Sequence, residues 1–445
     1  MNQENKMFFK ELNKLMLPIA FQAFMLAAVA ASDSIMLGMV SQNALAAVSL
    51  ASKIQFVQNI GLAALVGAGS ILAAQYFGKN DLDKVSKIYS LILRYSIIIS
   101  IVFWAGSYCA SDILMRIFTD DKIMIDIGCE YLKLSSWSYL IVGITQTFLC
   151  TLKVENRAYL SAVVSFISVI LNIFLNAVFI FGWFGINPME AEGAALATVI
   201  ARVVELLISV SIIIACKIRF DKRMLISFEL KLESEFWKIT TPLLINESIW
   251  GFGVTMYSVV VGHLGSDVAA ANSIASVIKD LVTSLCRGVG VGGGILLGYK
   301  LGSNKFDEAK SYGDKILKLS ILVGVICGAI ILLTMPFALQ LELSDRAREY
   351  LTYMLIICSL YMVSKSFNVG VINGAFYAGG DSRFDTYCLL LTIWLIIIPL
   401  SFLGTFVYSW PVLIIYFIIS LDEVLKIPFV FKRYKRYKWI KNLTK

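Results

Sequence analysis

Twelve long runs of mostly apolar residues dominate the chain, and very few folds can hold them. They cover about 15–39, 45–77, 88–110, 129–151, 160–183, 192–216, 239–264, 269–300, 315–339, 349–372, 384–407 and 409–431. A helix needs roughly 17–25 such residues to cross a bilayer, so each run suffices for one crossing. The second and eighth runs exceed one bilayer thickness and are expected to tilt or protrude. Of the 445 residues, 58% are hydrophobic and 16% charged, against about 45–50% and about 25% in soluble domains. One soluble core of this size cannot bury that much apolar surface. Disorder is excluded as well, because 12% of the residues are aromatic. The expected class is an all-α integral membrane protein.

The net charge of +8 suggests nucleic acid only until the basic residues are mapped. Lys and Arg gather between the apolar runs and in a basic tail over 432–445. Connections on the side of the chain ends carry 27 of them, and the opposite side carries four, Arg116, Lys122, Arg346 and Arg348. The positive-inside rule then predicts both termini in the cytoplasm and a multi-pass protein of the plasma (inner) membrane. The first run follows Lys6, Lys10 and Lys14, lacks a small-residue cleavage site and reads as a retained helix. The eight cysteines have neither zinc nor redox spacing and read as small core fillers. The charged connection 217–238 reads as a cytoplasmic linker between an N-terminal lobe, 1–216, and a C-terminal lobe, 239–431.

The halves are related by a single ungapped offset. It superposes Pro18 on Pro242, Gly38 on Gly262, Gly78 on Gly302, Asn80 on Asn304 and Asp83 on Asp307. With six crossings per half, both halves enter from the same side and form parallel repeats about an axis along the membrane normal. Such repeats enclose a cleft that opens to alternate sides. A duplicated channel or membrane enzyme is the plainer alternative.

The stretch from Pro18 through Asp33-Ser34-Ile35-Met36-Leu37-Gly38 to Ala44-Leu45-Ala46-Ala47-Val48-Ser49-Leu50-Ala51 resembles the opening of the multidrug and toxic compound extrusion (MATE) family. Ala74-Gln75-Tyr76-Phe77-Gly78-Lys79 followed by Asp83, the repeat at Pro242, Gly262 and Ala269-Ala270-Ala271, and the turn Tyr377-Ala378-Gly379-Gly380-Asp381 fit the same pattern. The resemblance covers essentially the whole chain. It implies two pseudo-symmetric six-helix bundles in a V, working as a monomeric secondary transporter. The implied activity is export of organic, often cationic, compounds in exchange for Na⁺ or H⁺.

An ionisable group deep in a bilayer is costly, about 2.5–3.5 kcal/mol on insertion scales, and points to function. Asp33 lies about four helical turns beyond Pro18, roughly 22 Å along a helix. Asn172 and Asn176 are spaced i, i+4 and share one face of the fifth run, and Thr198 lies on the sixth. Together these four offer oxygen ligands to a sodium ion, and a carboxylate that is costly when charged invites protons to compete. Helix packing is the alternative for the asparagines. The resemblance matches Asp33, Asn172, Asn176 and Thr198 to the family's N-lobe cation site, although many members place an acid where Asn176 stands.

In the second half, Glu247 lies just over one turn beyond Pro242 and matches the C-lobe cation-site Glu of one branch of the family. That branch also has an acid on the tenth helix, where this chain has Ser366 beside Lys365. Glu247 is therefore read as a group for ion coupling or for a substrate cation. Lys365 or Arg287 is a possible neutralising partner, and Asp280 and Arg287, at i, i+7, another pair. Tyr257, Trp250 and Phe252 stand near Glu247 and are candidates for a cleft that takes a flat cation, or for plain packing. The cleft set is thus Tyr257, Trp250, Lys365, Arg287 and Asp280. Arg202 and Glu205 at i, i+3 read as a packing ion pair, and His263 as an interface residue. Gly290, Gly292, Gly293 and Gly294 read as sites of close helix contact.

Pro18 and Pro242 remove backbone donors near the starts of helices 1 and 7 and ease bending there. The expected function is antiport by alternating access, with a small organic molecule as substrate and lipids as surroundings. No enzyme activity, cofactor, resident metal or nucleic-acid partner is expected, beyond a coupling Na⁺ or H⁺ at Asp33. The rival reading is a lipid-linked precursor flippase of the same superfamily.

Overall fold

The computed structural model describes residues 3–341 and 343–444. Met1, Asn2, Glu342 and Lys445, the last residue of the basic tail, lie outside it, as do the side chains of Ser34 and Gln42. Among the described residues the fold is helical throughout. The helices are α1 (Gln3–Val40), α2 (Gln42–Gly78), α3 (Leu82–Cys109), the short α4 (Ser111–Arg116), α5 (Lys122–Val154), α6 (Ala158–Phe181) and α7 (Glu190–Ala215). They continue as α8 (Leu230–Gly262), α9 (Ser266–Gly302), α10 (Phe306–Ala338), α11 (Asp345–Phe376), α12 (Ser382–Val407), α13 (Val412–Ser420) and α14 (Asp422–Lys435).

All twelve predicted runs are helical. Ten of the helices are long and apolar enough by themselves to cross a membrane. The other two runs correspond to α5, which carries charged residues over its outer turns, and to α13–α14. The last run is interrupted at Leu421, just before Asp422 and Glu423. The outward faces are apolar: on α10, Leu333 is 71% and Phe337 73% exposed. A water-facing protein would bury such side chains, whereas lipid accepts them.

Helix ends are set by familiar local chemistry. The Asp121 carboxylate accepts from the N–H groups of Ile123 and Met124 at the start of α5, and the Ser344 hydroxyl accepts from Ala347 N–H at α11. Gly182 closes α6 at φ 75°. Asn80 and Asn304 close α2 and α9 at φ 63° and 60°. Asparagine tolerates this left-handed backbone better than most residues, and these two are equivalents in the internal repeat.

The contacts group into two compact units. One contains Met25–Ala73 and Leu82–Thr240, with a core that includes Leu37, Val48, Ile54, Met115, Leu132 and Tyr139. The other contains Met1–Phe24, Ala74–Asp81 and Thr241–Lys445, with a core that includes Val268, Cys286, Ile331, Leu351, Met354 and Met362. These boundaries differ from the repeat boundary, because the first turns of α1 and the last turns of α2 group with the second half of the chain. The linker 217–238 groups with the first unit. There Arg94 donates to the carbonyls of Met224 and Ser227 and forms a 2.6 Å ion pair with Glu233.

Within the second unit, α2 and α9 cross at their ends. A Cβ on Gly78 would strike the Tyr299 backbone, and one on Gly302 would strike the Gln75 backbone. Gln75 and Tyr299 are themselves matched by the offset that matches the two glycines. Reciprocal contacts of this kind are the mark of a two-fold relation. Glycines in α9 open close approaches elsewhere: Gly288 and Gly292 meet α1 at Met16, and Gly290 and Gly294 meet α11 at Val369 and Asn373. Residues Gly370–Phe376 of α11 form a wider π-helical turn against this surface. Five of the eight cysteines, Cys150, Cys286, Cys327, Cys358 and Cys388, are buried.

The basic tail folds back onto the second unit. Trp439 is fully buried, stacked on Tyr434 and seated over Gly313 and Gly379. Gln75 donates to the carbonyls of Ala378 and Lys441 and accepts from Leu443 N–H. Arg433 donates to both carboxylate oxygens of Asp381 at 2.8 and 3.0 Å.

Candidate functional site

In the first unit, the predicted N-lobe residues form one hydrogen-bonded chain. The Asn176 amide donates to Asp33 Oδ1 at 2.5 Å and to Asn172 Oδ1 at 3.3 Å. The Asn172 amide donates to Thr198 Oγ1 at 3.4 Å. The spacing explains the assembly: the asparagines lie one turn apart on α6 and face Thr198 on α7, while α1 brings Asp33. Asn176 is fully buried, and its Oδ1 has no hydrogen-bond partner among the described residues. A buried acceptor without a donor costs free energy unless an ion or water meets it.

Asp33 is half-buried and forms no ion pair among the described residues. The nearest strong base on α7, Arg202, is held by Glu205 at 2.6 Å, the pair predicted from their spacing. Asp33 is therefore bonded to a neutral amide rather than locked to a cation.

The second unit is arranged differently. Glu247 on α8 is half-buried, and the charges whose fields reach it belong to Asp385, Arg287 and Lys365. Of the two partners considered for Glu247, Lys365 places its ammonium on Glu423 of α14 at 2.7 Å rather than on Glu247, and no ion pair joins Arg287 to Glu247. Asp280 and Arg287 are both exposed, and no ion pair joins them. Ser366 is buried and donates to the Ser320 carbonyl at 2.6 Å. Trp250 and Tyr257 are half-buried, and the Tyr257 hydroxyl has no hydrogen-bond partner among the described residues. Phe252 is exposed. His263 is exposed and packs its ring edge-on to Phe406.

Sequence reasoning missed three buried acids here. Asp385 accepts on Oδ2 from the Asn246 amide at 2.7 Å and from the Tyr377 hydroxyl at 2.8 Å. Asp422 and Glu423 lie inside the last apolar run with Lys426, which is 3.4 Å from Glu423. The signal was present in the sequence, as three closely spaced charges in an otherwise apolar span.

Two bundles of membrane-crossing helices related by an internal repeat, each holding buried polar side chains within its apolar spans, define a membrane transporter. The MatE family model matches the chain twice, over residues 18–178 and 242–403, two segments that begin at the matched prolines of the repeat. The chain belongs to the MatE family of multidrug efflux transporters. It is similar to the probable multidrug resistance protein YoeA of Bacillus subtilis, 23% identical over 346 residues, which are 76% of this chain and 74% of that one. It is also similar to the multidrug resistance protein MdtK of Edwardsiella ictaluri, 25% identical over 414 residues, with 88% and 87% covered.

Among solved structures, a point mutant of the Vibrio cholerae MATE transporter VcmN superposes with a TM-score of 0.89 at 15% identity, covering 99% of each chain. A Pyrococcus furiosus transporter of the MOP superfamily, described as having a binding pocket of reversed polarity, gives 0.86 at 17% identity over 97% and 96%. These structures share the twelve-helix MATE fold. Members of the family are transporters rather than enzymes, and the flippase alternative is not favoured.

Proposed function

We propose that this chain exports small organic cations by alternating access, driven by a Na⁺ or H⁺ that exchanges at Asp33. The observation that carries the reading is the chemistry around that carboxylate. Its partner is an amide, the nearby arginine is engaged elsewhere, and the buried Asn176 Oδ1 points to a missing donor or cation. An acid in low dielectric with no tethered counter-charge is stabilised by a mobile one. When the ion arrives, the charge of α1 is cancelled and the helix no longer favours the same packing.

Glu247 is suited to the positive charge of the substrate, with Tyr257 and Trp250 on the same helix as aromatic neighbours for a flat cation. Pro18 lies inside α1 and Pro242 inside α8 without ending either helix. Each removes one backbone bond where bending of the helix would be needed. One charge moving down ~100 mV supplies about 2.3 kcal/mol, enough for a roughly fifty-fold gradient of a neutral substrate. The protein works as a monomer in the plasma membrane with both termini in the cytoplasm.

The test is efflux of a cationic dye from proteoliposomes, with Na⁺ and H⁺ gradients imposed separately. Wild-type protein is expected to respond to at least one gradient. Asp33→Asn is expected to abolish that response while inserting normally. Undiminished gradient-driven efflux in Asp33→Asn would remove Asp33 from the mechanism.

A further inference from the structure

The second unit meets one of its buried acids in a way that the first does not meet Asp33. In the first, Asp33 accepts from the Asn176 amide and forms no ion pair among the described residues. In the second, Glu423 is 3% exposed and is met by the ammonium of Lys365 at 2.7 Å and that of Lys426 at 3.4 Å. Asn368 donates to both the Glu423 carboxylate and its carbonyl at 2.7 Å. Asp422 accepts from Glu423 N–H at 2.7 Å, one turn before Lys426. The Glu423 carboxylate is thus met by fixed charge, while Asp385, whose field also reaches Lys426, adds a third carboxylate beside the two ammoniums. Asp385, on α12, accepts from the Asn246 amide and the Tyr377 hydroxyl, neutral partners like that of Asp33.

We propose that Lys365, assisted by Lys426, is a tethered counter-cation that fills the carboxylate site at Glu423, so that this carboxylate exchanges no diffusible coupling ion. The ammonium stands where an ion would otherwise have to bind, and it cannot leave. Glu423 then contributes no exchangeable charge to the transport cycle. Lysine suits the role because its charge is compact and rides on a long apolar stem. The inference rests on the exporter reading for its transport consequence, but not for the compensation itself.

The test uses purified full-length protein. Lys365→Ala is expected to lower the thermal unfolding midpoint by several degrees, since it strands a buried carboxylate. n-Propylammonium, which replaces the deleted atoms, is expected to restore at least half of the loss, and Lys365→Arg to show little loss. In proteoliposomes, Asp33→Asn and Asp33→Asn combined with Glu423→Gln are expected to be equally devoid of gradient-driven efflux. Indifference of Lys365→Ala to n-propylammonium would overturn the proposal. So would gradient-driven efflux in Asp33→Asn that disappears when Glu423→Gln is added. If Lys365→Ala does not fold, the efflux comparison decides. If wild-type protein shows no gradient-driven efflux at all, the exporter reading fails, and the thermal rescue still judges the tethered cation.

Discussion

At the scale of single residues, the most informative atom is Asn176 Oδ1, buried beside Asp33 and unmet among the described residues. An acid at this position would bring two carboxylates within hydrogen-bonding distance. Such a pair does not stay doubly charged without a cation between its members. Asn176→Asp is therefore expected to lower the sodium concentration for half-maximal efflux by roughly tenfold, a gain of about 1.4 kcal/mol. Sodium titration of dye efflux at constant pH checks this. A variant whose sodium dependence equals that of wild-type protein would count against cation binding between these two side chains.

At the scale of elements, the twelve spans and the internal repeat were legible in the sequence because both depend on local features, apolar length and residue spacing. The N-lobe set was legible for a related reason: an i, i+4 pair of asparagines declares a shared face before any contact is known. The Lys365–Glu423 bond was not, since its partners lie on different helices far apart in the chain and nothing local pairs them. Averaging over a long apolar run also hid Asp422, Glu423 and Lys426. The crossing of α2 and α9 lies between these cases. Its glycines stood out in the repeat, and only the structure shows that each lies against the other helix. Gly302→Ala drives a methyl group into the Gln75 backbone and is expected to destabilise the protein by about 1–3 kcal/mol. The unfolding midpoint in detergent should fall accordingly. Gly262→Ala, with open space around its Cβ position, should change it little by crowding.

At the scale of the whole molecule, the basic tail is part of the packed fold rather than an appendage. A count of lysines and arginines accounts for its charge, but not for Trp439, which is fully buried, or for Tyr434 and Tyr437, whose hydroxyls donate to Asp314. Trp439→Ala removes one of the largest buried side chains and is expected to cost about 3–5 kcal/mol, read as a lowered midpoint and earlier proteolysis of the C terminus. An unchanged midpoint would mean that the tail contributes nothing to the stability of the second unit. The α2–α9 crossing also bears on how the duplicated chain can diverge. Where a residue abuts the counterpart of its own neighbour, neither copy can acquire bulk alone. Evolution is thus free to give the halves different chemistry, an acid bonded to an amide in one and an acid paired with a lysine in the other, while at this crossing their ancestry stays locked in place.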